Sequence, residues 1–176
     1  RMLSDVYEVY REQYADERGE TVRYLVQHTS MNEADREAFL EAFALDGEHT
    51  TVGFCVMGGI FAEGIDLSGE RLIGAVLIGT GLPQIGTERE ILMNYYDQAG
   101  ENGFDYAYRF PGMNKVLQAA GRVIRTDQDR GVIALLDERF LTADYRKLFP
   151  REWHDYRGCS LTQVGNLVRE FWEGTS

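Results

Sequence analysis

Four short apolar runs, separated by segments of helical periodicity, place the strongest constraint on the fold. They are residues 22–27 (VRYLVQ), 50–58 (TTVGFCVMG), 72–79 (LIGAVLIG) and 131–137 (GVIALLD). Each run is apolar at nearly every position rather than at alternate positions, which is typical of strands covered on both faces. Because such strands alternate with helical segments along the whole chain, the order predicts an α/β fold with a parallel sheet flanked by helices on both faces.

Helical periodicity fills most of the chain between these runs. The predicted helices cover residues 4–18, 33–45 (with Asn32 as N-cap), 87–99, 113–126 and 161–173. The stretch 80–112 is rich in Gly and Tyr towards its end, and we expect it to contain an irregular, functional loop. At 176 residues the chain has the size of one domain, so residues 1–176 are predicted to form a single domain. Since the chain begins at Arg1 inside a helical pattern, we expect it to be a fragment of a longer protein.

Several classes of protein are disfavoured by what the sequence does not contain. It has no apolar run long enough to cross a membrane, and no signal peptide opens it, so we expect a bacterial cytoplasmic or nucleoid-associated protein. Cys55 and Cys159 are too few for a disulfide framework, and Cys55 is predicted to be a buried small hydrophobe. The histidines show no metal-ligand spacing, so no metal site is predicted.

Charge is unevenly distributed among the residue types. With 29 acidic and 18 basic residues, the net charge of −11 argues against non-specific adhesion to nucleic acid. Lys115 and Lys147 are the only lysines, so nearly all positive charge is carried by arginine. Arginine can bind phosphate through two parallel hydrogen bonds, and a narrow phosphate site therefore remains compatible with the acidic composition.

Two of the arginines stand in the stretch 118–125 (QAAGRVIR). On a helix over 113–125, at about 100° per residue, Gln118, Arg122 and Arg125 fall within an arc of roughly 60°. The apolar residues gather on the opposite side, so the helix would pack on the sheet and present one polar stripe. The alternative is a solvated face in which Asp127 and Asp129 pair with the arginines.

A glycine-rich loop follows the second predicted strand. Residues 58–72 (GGIFAEGIDLSGERL) combine glycines, which allow close backbone contact, with the carboxylates of Glu63 and Asp66. Ligands of parallel α/β sheets bind at the carboxyl ends of the strands, where this loop lies. The stretch 79–83 (GTGLP) likewise places glycines at the end of the next predicted strand.

Together these motifs resemble a helicase family. The stretch 63–67 (EGIDL) resembles motif V of superfamily 2 helicases, and 118–125 resembles motif VI. Its continuation, 126–140 (TDQDRGVIALLDERF), is similar to the XPD/DinG branch of DNA helicases. The resemblance implies a second RecA-like motor domain of an ATP-dependent DNA helicase that translocates 5′ to 3′ on single-stranded DNA. No Walker A motif and none of the family's iron–sulfur cysteines are present, and in the family these belong to the first motor domain.

The resemblance also implies roles for individual residues. The catalytic residues would be Arg122 and Arg125, as arginine fingers, and Gln118; the nucleotide-binding residues Glu63, Gly64 and Asp66; and the DNA-binding residues Thr29, Ser30, Gly59 and Phe61. ATP and Mg²⁺ would act in the full-length protein, with none bound by this fragment alone, and an iron–sulfur cluster elsewhere in the parent is compatible with the family. The expected partners are the first RecA-like domain of the same parent chain and single-stranded DNA. The alternative is a degenerate RecA-like module that binds protein or nucleotide without hydrolysis.

Overall fold

The computed structural model describes residues 2–12, 22–43, 50–59, 61, 67 and 71–174. Its helices are α1 (Met2–Tyr10), α2 (Glu33–Glu41), α3 (Thr87–Gln98), α4 (Phe110–Ala120), α5 (Ala143–Arg146) and α6 (Leu161–Glu173). Its strands are β1 (Val22–Val26), β2 (Thr50–Phe54), β3 (Gly74–Ile78) and β4 (Val132–Leu136). A π-helical turn, Asp105–Arg109, leads directly into α4, and short 3₁₀ turns occupy Glu138–Leu141 and Arg151–Trp153. None of the helices in these ranges is both long and apolar enough to cross a membrane.

The first half of the fold is a parallel pair of strands, β1 and β2, connected through α2. Helix α2 begins where the sequence predicts, because Asn32 and Asp35 form a reciprocal capping box with two hydrogen bonds of 3.0 Å. Helix α1 packs on this pair through edge-to-face ring contacts, in which Tyr7 and Tyr10 lie 5.3 and 5.8 Å from Phe54.

The second half is a parallel pair formed by β3 and β4, with α3, the π turn and α4 between them. One face of this pair packs on α4. The buried members of the resulting core are Leu77, Met113, Val116, Ala120, Phe140 and Tyr145. Val116 has no exposed surface and Met113 has 2%, so α4 is the central element of the core. The α/β class and the parallel strands are therefore confirmed.

The sheet differs from the prediction in two respects. The described strands form two separate pairs rather than one continuous sheet. The outer face of the second pair is also open within the described residues, since Val76, Ile78 and Leu136 are 63%, 38% and 41% exposed. An unbroken apolar run indicates that both faces suit an apolar environment, but it does not specify which element covers each face.

Two further predictions were wrong. Residues 80–112 were expected to carry an irregular loop outside the helix predicted at 87–99, yet residues 105–112 are helical and form the π turn and the start of α4. The Tyr-rich segment is helical because its rings pack on one another: Tyr96 and Tyr106 stack with 3.8 Å between centroids. Cys55 keeps an exposed surface, because it follows the end of β2 and does not lie inside the strand, although its surroundings desolvate the thiol enough to raise its pKa to about 11.

Candidate functional site

The turns after β2 and β3 meet at the amino-terminal half of α4. Gly58 has φ +76°, and a Cβ built on it would lie 3.1 Å from Cδ of Lys115. Gly81, after β3, has φ +66°, and a Cβ there would lie 2.7 Å from the carbonyl oxygen of Gly112 and 3.1 Å from the sulfur of Met57. Both turns need glycine because side chains rarely adopt positive φ and because α4 leaves no room. One helix thereby holds the carboxyl ends of strands from both pairs.

The end of β1 joins the same edge through Gln27. Its Oε1 accepts the Val56 N–H at 2.9 Å, and its backbone N–H donates to the Phe54 carbonyl at 2.9 Å. Thr29 and Ser30 follow in an exposed turn. Their side chains are therefore accessible after the end of β1, and their contact with DNA stays a prediction.

Gly59 and Phe61 contribute to this edge differently from what the sequence suggests. The backbone N–H of Gly59 donates to the Val56 carbonyl at 2.9 Å, so it is engaged within the turn and is not an open phosphate ligand. Phe61 is only 4% exposed, and its ring stacks on Phe39 with 4.2 Å between centroids. Its side chain is part of the packing against α2. The predicted contact of Phe61 with DNA would therefore have to be made by its backbone.

The predicted nucleotide-binding residues Glu63, Gly64 and Asp66 lie outside the described residues. Their roles stay predictions. On either side of them in sequence, Phe61 and Leu67 are buried with 4% and 3% exposure.

The arginine segment leaves the helix earlier than predicted. Gln118 is exposed on the last turn of α4, but the helix ends at Ala120, so Arg122 and Arg125 do not extend a helical stripe. The backbone tightens to i→i−3 hydrogen bonds, since the N–H groups of Arg122 and Val123 donate to residues 119 and 120 at 3.2 and 3.0 Å. Burial of Val123, which is 3% exposed, pulls the chain off the helix axis towards the core.

A carboxylate holds the backbone of this segment. Oδ2 of Asp129 accepts the N–H groups of Arg125 and Thr126 at 2.9 and 2.8 Å. Arg122 is half-buried and Arg125 is exposed. We call residues 121–126 the arginine turn. The sequence suggested Asp129 as an ion-pair partner for the arginines, and its carboxylate also accepts hydrogen bonds from the backbone that carries them.

Lys115 was not predicted as a site residue, although it stands three positions before Gln118 on α4. Its side chain lies against the turn at Gly58, with Nζ 3.7 Å from the position of a Cβ on that glycine. Within the described ranges Lys115 has no ion-pair or hydrogen-bond partner, and it is half-buried. The available signal was the i, i+3 spacing to Gln118 combined with the scarcity of lysine.

Other cations of this half have structural partners. The guanidinium of Arg109 lies 2.5 Å from the buried Asp105 and 3.2 Å from Asp144, which ties the π turn to α5. Lys147 lies 3.2 Å from Asp144 and, together with Arg109, lowers the pKa of that carboxyl below its ordinary value. A two-point hydrogen bond from Arg139, at 2.8 and 2.7 Å, likewise lowers the pKa of Asp137 after β4.

Comparisons with known proteins place these residues in context. The model of the "Helicase C-terminal domain" family matches residues 1–156. "ATP-dependent DNA helicase DinG" of Photobacterium profundum is 34% identical over 91 residues, which is 51% of this chain and 13% of that protein. Human "Regulator of telomere elongation helicase 1" is 33% identical over 142 residues, which is 76% of this chain and 12% of that protein. "General transcription and DNA repair factor IIH helicase subunit XPD" of Dictyostelium discoideum is 32% identical over 114 residues, which is 61% of this chain and 14% of that protein.

Proposed function

Because this chain belongs to the helicase C-terminal domain family and is similar to the three helicases named above, we propose that it is the second motor domain of an ATP-dependent DNA helicase. The chain spans only 12% to 14% of the three relatives described above. The activity of a whole helicase is therefore proposed for the longer protein of which this domain would be a part. The resemblance drawn from the motifs at residues 63–67 and 118–125 is confirmed at the level of the family.

The arginine turn is the observation that carries the proposal. It presents Arg125 in an exposed position and Arg122 in a half-buried one, on a backbone held by Asp129. Transfer of a phosphoryl group places negative charge on its equatorial oxygens, and a positioned guanidinium stabilises that charge. We assign Arg122 and Arg125 as arginine fingers directed at a nucleotide held by the first motor domain, with Gln118 responding to the nucleotide or its attacking water.

ATP would be shared between this domain and its partner. Bound with Mg²⁺, ATP supplies the γ-phosphoryl group whose transfer to water releases the free energy used for movement. The chain has no Walker A lysine loop, so the partner domain would hold most of the nucleotide, and this domain would contribute cations. In the described part no three His, Cys, Asp or Glu side chains converge as metal ligands, and we assign Mg²⁺ binding to the partner.

The strand ends are proposed as the track for single-stranded DNA. Thr29 and Ser30 are exposed at the end of β1, and Lys115 places a half-buried ammonium beside the turn at Gly58. Hydroxyls and ammonium groups at such an edge bind phosphates without reading bases, which suits movement along any sequence. We propose 5′ to 3′ translocation, driven by opening and closing of the cleft between the two motor domains.

The two strand pairs are proposed to belong to one RecA-like sheet in the complete motor domain, with helices on both faces. The exposed apolar side chains of Val76, Ile78 and Leu136 support the covering of this face by helices, since large apolar patches are rarely left open to water.

The test is substitution of the fingers in the full-length protein. For Arg125→Ala and Arg122→Ala we expect DNA-stimulated ATP hydrolysis to fall by about 10³-fold or more, because a finger contributes about 10³ to 10⁵ in rate. DNA affinity and the thermal midpoint should stay close to wild type. Arg151→Ala is the matched control, since this arginine is also exposed and stands 26 positions after Arg125 in the chain.

Three outcomes would contradict the proposal. Wild-type hydrolysis by Arg125→Ala and Arg122→Ala would remove the finger role. Robust ATP turnover by the 176-residue chain alone would show that no second motor domain is needed. Nucleotide binding without any hydrolysis by the full-length wild-type protein would instead favour the degenerate binding module.

A further inference from the structure

Helix α6 is attached to the loop that follows the arginine turn. The guanidinium carbon of Arg130 lies 4.7 Å from the ring centroid of Phe171 and 5.1 Å from that of Trp172, within the range of cation–π contacts. The same guanidinium donates a hydrogen bond to the carbonyl oxygen of Phe171. These contacts join positions 41 residues apart. The family match ends at residue 156, so α6 lies beyond the part of the chain that the family model describes.

The rest of α6 is weakly packed. No residue of the helix is buried, and Leu161 at its start is 84% exposed. The helix is nevertheless well defined locally, because Ser160 and Gln163 form a capping box and its apolar side chains line one face. A helix with so little burial depends on specific contacts for its position. The contacts of Phe171 and Trp172 with Arg130, which we call the clamp, are of this kind.

The loop between the arginine turn and β4 is short and fixed at both ends. At its far end Val132 donates to the Ile73 carbonyl at 3.0 Å, and a Cβ on Gly131 would lie only 2.5 Å from a methyl carbon of Val123. At its near end Asp129 holds the backbone N–H groups of Arg125 and Thr126. Arg130 directly follows Asp129 in the chain. Contacts that fix the position of Arg130 therefore also restrict the carboxylate of Asp129, which accepts the hydrogen bonds of the arginine turn.

We propose that Arg130 is a positioning residue: clamped by Phe171 and Trp172, it fixes the loop that presents Arg125, so that α6 sets the rate of ATP hydrolysis. The link to hydrolysis rests on the proposed function of Arg125 as a finger. The mechanical part, from α6 through Arg130 to Asp129 and the arginine turn, does not. Arg130 itself contacts no reacting atom in this scheme.

The mechanical part is tested by hydrogen exchange in the full-length protein. In Arg130→Ala we expect faster exchange over residues 124–130, because the N–H groups of Arg125 and Thr126 lose their fixed acceptor. Exchange within β4 should be unchanged. The double variant Phe171→Leu with Trp172→Leu removes the aromatic partners of Arg130 and should also speed exchange over residues 124–130. Arg169→Ala, an exposed arginine on α6, is the matched control and should behave as wild type.

The link to hydrolysis is tested by kinetics on the same variants. We expect kcat to fall by about tenfold to a hundredfold in Arg130→Ala, since small displacements of a catalytic group have effects of this size. The KM for ATP should stay near wild type. Because an unfolded fraction would also lower the apparent kcat without changing KM, kcat is expressed per folded protein, as measured by circular dichroism. A hydrolysis defect in Arg125→Ala but not in Arg130→Ala would overturn the link while leaving the finger assignment intact.

Two exchange results would overturn the clamp itself. Unchanged exchange over residues 124–130 in both clamp variants would show that α6 does not restrain the loop. Faster exchange spread equally through β4 and α4 would show that Arg130 supports global stability instead of the arginine turn.

Discussion

The two ends of α4 are held in place by different kinds of interaction. At the amino-terminal end Gly112, Met113 and Val116 are buried, and a Cβ on Gly112 would lie 2.6 Å from the Thr80 carbonyl oxygen. At the carboxyl-terminal end the arginine turn is mostly exposed, and its backbone is fixed by hydrogen bonds to Asp129. Apolar packing therefore secures the first end, whereas the second combines the burial of Val123 with directional polar contacts.

Because of this difference, the residues that stabilise the domain are not the residues that position the two arginines. Close packing is costly to disturb and tolerates little movement, so the amino-terminal end anchors α4 on the sheet. A hydrogen-bonded turn contributes modestly to stability, so it can be altered without unfolding the domain. We expect substitutions at the two ends to differ accordingly, with the largest effects at the amino-terminal end.

The largest effect is expected for Met113→Ala. Met113 is 2% exposed at the centre of the core, and its truncation should lower the free energy of unfolding by about 2–5 kcal/mol through lost burial and a residual cavity. Asn114→Ala, the exposed neighbour on the same helix, should change it by no more than about 0.5 kcal/mol. Urea unfolding followed by circular dichroism measures both. Equal effects would show that α4 does not pack on the core through the face that carries Met113.

An effect of similar size is expected for Gly81→Ala. Its left-handed backbone would cost a side chain about 1–2 kcal/mol, and the contact with Gly112 should add about 1–3 kcal/mol of overpacking. Gly79→Ala provides a matched control, because Gly79 also has positive φ but has open space around it. Urea midpoints of the two variants should therefore differ. Indistinguishable midpoints would mean that the close approach to α4 does not matter energetically.

The smallest effect is expected at the carboxyl-terminal end. Asp129→Ala removes the acceptor of two backbone N–H groups and should lower the free energy of unfolding by about 1 kcal/mol, as for loss of a helix cap. Asp127→Ala, an exposed acidic neighbour, should be close to neutral. Both are measured by thermal unfolding. A loss at Asp129 as large as that at Met113 would remove the distinction between the two ends.

Local signals in the sequence predicted most elements well. The four apolar runs each contain a strand, and Asn32 caps α2 because its side chain and Asp35 satisfy each other's backbone N–H groups. Helix α6 spans residues 161–173, as its apolar periodicity predicts. Each of these features depends on interactions within a few residues, so they can be recognised without knowing the tertiary structure.

Features that depend on distant contacts were missed or misplaced. Helical periodicity continues through Arg125, but burial of Val123 and the hydrogen bonds to Asp129 end α4 at Ala120. The contact of Lys115 with the turn at Gly58 joins elements 57 positions apart in the chain, and periodicity has no signal for it. The clamp on Arg130 is similarly invisible, because neither partner shows an unusual local pattern.

The scarcity of lysine makes the chemistry of side-chain amines unusually selective in this domain. Lys147 is exposed and lies beside carboxylates, whereas Lys115 is half-buried against the turn at Gly58. An acylating reagent therefore has two lysine targets in very different surroundings. The extent of labelling at Lys147 serves as the internal reference for labelling at Lys115. Protection of Lys115 relative to Lys147 on addition of an oligonucleotide would locate the bound strand without any substitution.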